Sequence, residues 1–185
     1  SMPQEIPPRL EFPVDVTEKE YIEASLIAAR RIGSLRLTPV IVAAAAALCA
    51  VGLLAFSWFA SPLLPIMLCV LGLLLAIAFF TMEPANIRKR ARRDYQTYKE
   101  LMKDSVVRLY ADDVRTDTAL VRLTDQYALL ALCVETPELL VFLKDRDRLL
   151  ILPKRCLPAE QKDDALEFLR LVFIRKRKVM RRWYF

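Results

Sequence analysis

The chain has 185 residues, with 28 Lys and Arg against 22 Asp and Glu, no histidine and 55% hydrophobic content. Lack of histidine removes the commonest general base and the commonest metal ligand, which disfavours zinc and catalytic-triad chemistry. Residues 83–185 contain no glycine, so they lack the loops in which backbone amides close on phosphate, and nucleotide chemistry of that type is excluded there.

Ser1 ahead of Met2 reads as a residue left by tag removal and carries no weight. Residues 9–16 alternate polar and apolar as a half-buried strand does, and Pro13 confines that strand to an edge. Thr17 then caps a helix, with Glu20 placed as in a capping box and Tyr21, Ile22, Ser25, Leu26 and Ala29 along one stripe. Together these make an N-terminal arm, residues 1–36.

From Leu37 to Met82 the chain has no charged residue. About 20 apolar residues cross a hydrocarbon core of about 30 Å, so this run holds two spans and a turn. A cleaved signal peptide would be shorter and nearer the N-terminus. The first span, about Leu37 to Phe59, is rich in small residues from Ala43 to Gly52, which permit close approach of another helix. The second, about Pro62 or Pro65 to Met82, is dominated by Leu and Ile. Arg30, Arg31 and Arg36 precede the hairpin, and Arg88, Lys89, Arg90, Arg92 and Arg93 follow it. By the positive-inside rule both termini are cytoplasmic. Cys49 and Cys69 fall within the spans and Cys133 and Cys156 beyond them, with no CxxC and no disulfide framework.

A basic juxtamembrane helix is expected over residues 83–104, starting after Pro84, with Tyr95, Tyr98 and Leu101 at helical spacing. Short β-prone runs follow at 106–110, 119–123, 128–135, 139–144 and 149–152. Turn-like clusters at Asp112-Asp113, Thr116-Asp117, Asp125-Gln126, Thr136-Pro137 and 145–147 separate them. A last helix begins near Pro158, acidic early and basic late, with Leu166, Leu169, Val172 and Phe173 as its buried stripe. Residues 105–174 thus form a small α+β cytoplasmic domain, an antiparallel sheet or small barrel closed by a C-terminal helix. Residues 175–185 are a basic aromatic tail.

Tyr127-Ala128-Leu129-Leu130, then Glu135-Thr136, then the apolar strand ending in Pro153-Lys154-Arg155 resemble the signature of the YcxB-like bacterial membrane proteins. The segment from Val16 to Ala24 and the hairpin fit as well. Tyr127 stands where the family usually has Trp, and the tail beyond Phe173 is an extension. The resemblance implies an inner-membrane protein in which a two-helix transmembrane hairpin carries a pleckstrin-homology-like (PH-like) sheet, which the N-terminal strand joins. It implies no activity.

No constellation spells out catalysis, a metal site or a cofactor. Asp112-Asp113 and Asp145 with Asp147 read as turns, and Asp163-Asp164 as a helix first turn. Cys156 lacks a histidine base and reads as a small residue at a strand end. The candidates for lipid binding are the basic groups: Arg88, Lys89, Arg90, Arg92 and Arg93 after the hairpin, Lys154 and Arg155 at a strand end, and Arg175, Lys176, Arg177, Lys178, Arg181, Arg182 and Trp183 in the tail. A cation near an anionic leaflet contributes about 1 kcal/mol. Topology also demands the first group, a solvent-facing strand end accounts for the second, and a solvated tail accounts for the third. The excess charge is juxtamembrane or terminal, so lipid rather than nucleic acid is the expected polyanion. The sequence reads as a non-enzymatic multi-pass membrane protein whose cytoplasmic module binds anionic lipid, a protein partner, or both. The alternative is a structural subunit that oligomerises through its spans and modulates a larger complex.

Overall fold

The computed structural model describes residues 5–58, 61–145 and 148–181. Helix α1 (Glu18–Ile32) begins where Thr17 Oγ1 accepts from the Glu20 amide while the Glu20 carboxylate accepts from the Thr17 amide, a complete capping box. Replacing an N-cap Thr by Ala costs about 1 kcal/mol. Thr17→Ala is therefore expected to lower the melting temperature by a few degrees.

Two long apolar helices follow, α2 (Thr38–Trp58) and α3 (Leu63–Leu101). They pack as an antiparallel pair through close backbone approaches. A Cβ on Gly52 would lie 2.9 Å from the Pro65 carbonyl oxygen and 3.0 Å from Cys69 Sγ, and one on Gly72 would lie 3.1 Å from the Ala45 carbonyl oxygen. The seam thus sets Gly52 against Pro65, Leu68 and Cys69, and Gly72 against Ala45 and Leu48. Gly52→Leu should push the helices apart and destabilise the chain in detergent by about 1–3 kcal/mol. Ala44→Leu, on an exposed position, should leave the melt unchanged.

Helix α3 passes through Pro84 without a break. The expected boundary there is absent, and the second apolar helix and the basic helix are one rod. A proline removes a single backbone donor, and packing of Pro84, Ile87, Ala91 and Tyr95 against neighbouring structure holds the segment helical.

The remaining elements form two four-stranded sheets. The first has the order β1 (Leu10–Val14), β2 (Ser105–Leu109), β3 (Asp113–Asp117) and β4 (Arg122–Gln126), all antiparallel. Pro13 indeed lies in an edge strand, opposite Val106. The hairpin is therefore an insertion between two neighbouring strands of one sheet. The second sheet runs β7 (Leu149–Pro153), β6 (Leu139–Leu143), β5 (Leu132–Glu135) and β8 (Arg177–Val179), antiparallel except for the β5–β8 pair.

The sheets differ in what covers them. Phe12, Val107, Leu109 and Val114 of the first face Cys133, Leu140, Phe142, Leu150 and Leu152 of the second, and α4 (Lys162–Val172) enters this core with Ala165, Leu166 and Leu169, followed by Phe173. The outer face of the first sheet carries Glu11, Arg108 and Asp117 in a cross-strand ion network and is solvated. The outer face of the second is covered by α1, whose Ala24, Ile27 and Ala28 pack on Val134, Val141, Leu143 and Ile151. Strands buried on both faces read as continuous apolar runs, which explains Leu139–Leu143 and Leu149–Pro153.

Several local expectations shift: β4 covers the Asp125-Gln126 pair expected as a turn, Ala119-Leu120 bend where a strand was expected, and α4 starts at Lys162 rather than near Pro158. β3 occupies residues expected as turns, because its register puts Val114 and Thr116 inward and Asp113, Arg115 and Asp117 outward. Tyr127–Leu129 is a single 3₁₀ turn, not the start of a strand. Part of the expected tail is β8, after which Met180 is buried beneath α1.

Candidate functional site

Glu135 ends β5 on the inner face and is only 5% exposed. Its carboxylate accepts from Lys154 Nζ at 3.0 Å, from Arg170 at 2.6 and 3.2 Å, and from Arg177 Nε at 2.7 Å. One acid thereby joins the strand ending in Pro153, helix α4 and the C-terminal strand. Burial pushes the Glu135 carboxyl up, but hydrogen bonds from Arg170, Lys154 and Arg177 outweigh it and hold the group at about 2. Next to it, burial and the Glu135 charge push the Cys133 thiol up to about 12, so it is an inert core group.

Arg155 makes the second clamp. Its Nε lies 2.8 Å from Glu20 Oε1, and Nη2 donates to Glu20 Oε2 and to the Asp15 carbonyl. The N-terminal arm is thus tied to the end of β7 across more than a hundred residues of sequence. Tyr95 adds a third tie, its hydroxyl donating to the Val16 carbonyl at 2.8 Å. Tyr21 packs on Tyr98 and Tyr95 with ring centroids 4.8 and 5.7 Å apart, and burial raises the Tyr98 hydroxyl well above its ordinary value.

These contacts divide the basic residues singled out in the sequence. Lys154, Arg155 and Arg177 are engaged by Glu135 or Glu20, and Lys176 Nζ donates to the carbonyls of Ala128 and Leu130 at 2.8 and 2.9 Å. On α3, Lys89, Arg90, Arg92 and Arg93 are exposed and Arg88 is half-buried. Arg92 lies 3.9 Å from Glu18 and Arg93 3.7 Å from Asp94, both solvent-exposed pairs of little energetic weight. Arg175, Lys178 and Arg181 are exposed. Arg182 and Trp183 lie outside the described residues. Arg170, which completes the Glu135 cluster, was missed because a helical arginine near a C-terminus reads as a macrodipole partner.

A cavity of about 740 Å³ lies where β1 and β7 diverge, walled by Val14, Tyr98, Met102, Val107, Leu150 and Cys156. A groove of about 610 Å³ runs between α1 and α3 from Gly33 and Glu83 to Tyr98. Neither places a nucleophile against a histidine base, and no group of three or more metal-ligating side chains occurs among the described residues. No known protein family, curated protein or solved structure matches this chain.

Proposed function

We propose that this chain is an integral membrane protein whose α2–α3 hairpin crosses the bilayer with both termini cytoplasmic, and whose PH-like domain is a non-enzymatic interaction module held at the inner leaflet. One observation carries the reading. The apolar windows of α2 and α3 are only 6% and 11% buried, although a core helix of a soluble domain would be mostly covered. Their outward faces present Val40, Leu53, Leu54, Phe56, Ile66, Leu73 and Leu74 with no protein partner layer. Lipid is the environment in which such surface is stable.

The PH-like reading rests on topology: four strands, then three antiparallel strands, then a helix closing the space between the sheets, with the hairpin inserted after the first strand. Folds of this kind host many binding functions, so that step is analogy. The ligand assignment rests on Lys89, Arg90, Arg92 and Arg93, exposed on the part of α3 that leaves the hairpin. Protease protection of the full chain in oriented vesicles tests topology, and one protected terminus refutes it. Native mass spectrometry from mixed-lipid nanodiscs tests the ligand: preferential retention of anionic over zwitterionic lipid is expected, lost on neutralising these four residues together. Equal retention of both lipids overturns the lipid assignment.

A second reading has its own observation. Ala45 is used against Gly72, while Ala43, Ala46, Ala47 and Ala50 face outward, a surface on which a second hairpin can approach closely. If the chain assembles there, Ala46→Leu with Ala50→Leu shifts the native mass to the monomer. A wild-type monomer removes this reading.

A further inference from the structure

The contacts of α1 orient the β domain relative to the hairpin. Helices α1 and α3 run antiparallel, with Tyr21 near the start of α1 stacked on Tyr95 and Tyr98, and with Leu26 and Leu35 against Ile87 near its end. The base of the hairpin therefore lies at the Gly33 and Glu83 end of the α1–α3 pair. Strand β7 is antiparallel to α1: Arg155, just beyond its last residue, binds Glu20 at the start of α1, while Leu149, its first residue, lines the groove with Ile32 and Gly33. Leu149 pairs with Leu143, Leu143 with Leu132, and the next residue, Cys133, with Arg177. The described segments just beyond this row, residues 127–131, 144–145 and 173–176 with Arg148, form the end of the domain nearest the hairpin base.

That end carries exposed apolar side chains. Leu129 is 62% exposed, Leu171 64% and Ile174 72%. They are held together: Lys176 Nζ donates to the carbonyls on either side of Leu129, and the Ile174 amide donates to the Leu171 carbonyl. Exposed Arg175 lies beside them. By contrast Leu120, 71% exposed, sits at the opposite end, where the Ala119 amide donates to the Lys103 carbonyl just past the end of α3.

We propose that Leu129, Leu171 and Ile174 form a second membrane contact, inserting at the headgroup–acyl boundary with Arg175 among the phosphates, so that the β domain is seated on the bilayer. This rests on the reading that the hairpin spans the membrane. A bilayer is the occupant because these residues lie on the end that the α1–α3 pair turns toward it, and because apolar side chains beside a long cation suit that boundary.

The test uses the full chain in vesicles of mixed anionic and zwitterionic phospholipid with brominated acyl chains. Leu120→Trp, Leu129→Trp and Ile174→Trp are made separately at exposed positions, so folding is not at risk. Expected is a blue-shifted, bromine-quenched emission added by tryptophan at 129 and 174 but not at 120. Quenching at 129 and 174 no greater than at 120 overturns the proposal. The chain has two tryptophans, so all variants carry Trp183→Phe; Trp58 then separates the two readings, since the Trp183→Phe protein without quenching at Trp58 removes the spanning hairpin itself. A quenched Trp58 with unquenched 129 and 174 removes the seating alone.

Discussion

Glu135→Ala is expected to destabilise the domain by about 3 kcal/mol, at the lower end of what breaking a buried ion pair costs. The reason is what it leaves behind. Lys154 is 11% exposed and its ammonium is bound to Glu135, so the variant strands a buried charge, whereas Arg170, 46% exposed, regains water. Three segments also lose their common anchor, and β8, only three residues long and joined to one neighbour, should detach first. Glu135→Gln keeps the shape and an acceptor and should fall between. Chemical denaturation in detergent gives the magnitudes, and amide exchange at Arg177–Val179 gives the order of events.

The same cluster sets an acid limit. Glu135 lies near 2 in the folded chain against an ordinary value of 4.5. A depressed carboxylate contributes stability that is fully present above the ordinary value and is lost as pH falls through the folded one. Wild-type protein should therefore weaken progressively between about pH 4.5 and pH 2, and Glu135→Gln should lose less over that window. It keeps some acid sensitivity, because burial of Glu20 is likewise outweighed by its hydrogen bond to Arg155, leaving that carboxyl lowered too. An unchanged acid slope in Glu135→Gln would place the sensitivity elsewhere.

Much of the fold was legible because its signals are local. The charge-free run, the Thr17–Glu20 box and the continuous apolar runs of β6 and β7 each follow from a pattern a few residues wide. Failures occurred where distant contacts decide. Asp112 does lie in the turn between β2 and β3, but Thr116-Asp117 looks like a turn until pairing with β2 and β4 buries Val114 and Thr116 between them. Pro84 looks like a stop, yet packing of the surrounding turns keeps one helix. Basic residues at 154, 155 and 177 look available, but their partners Glu135 and Glu20 lie 19 to 135 positions away. Sequence spacing carries no sign of such pairs.

The N-terminal arm has the largest expected effect on folding. A chain comprising residues 83–185 alone should not fold, although it holds seven of the eight strands found among the described residues. Without β1, the edge of β2 is open and Phe12, 1% exposed, and Leu10 leave the inter-sheet core. Without α1, Val134, Val141, Leu143 and Ile151, each no more than 1% exposed, face water on the outer side of the second sheet. Burying a large apolar side chain contributes roughly 1.5–3 kcal/mol, so these six losses together come to about 9–18 kcal/mol, as large as the whole margin of about 5–15 kcal/mol typical of a domain. Arg155 also loses Glu20, and Tyr95 loses the Val16 carbonyl. Joining Gly33 to Glu83 by a short flexible linker in place of the hairpin restores every one of these contacts, because both residues line one groove. The linked chain should give a soluble monomer with a single cooperative melt, while residues 83–185 should aggregate or show no transition. A cooperative melt from the shorter chain would mean that the arm only decorates the domain. The contrast also determines how surface binding can be measured, since any assay on residues 83–185 would report the stickiness of an exposed core.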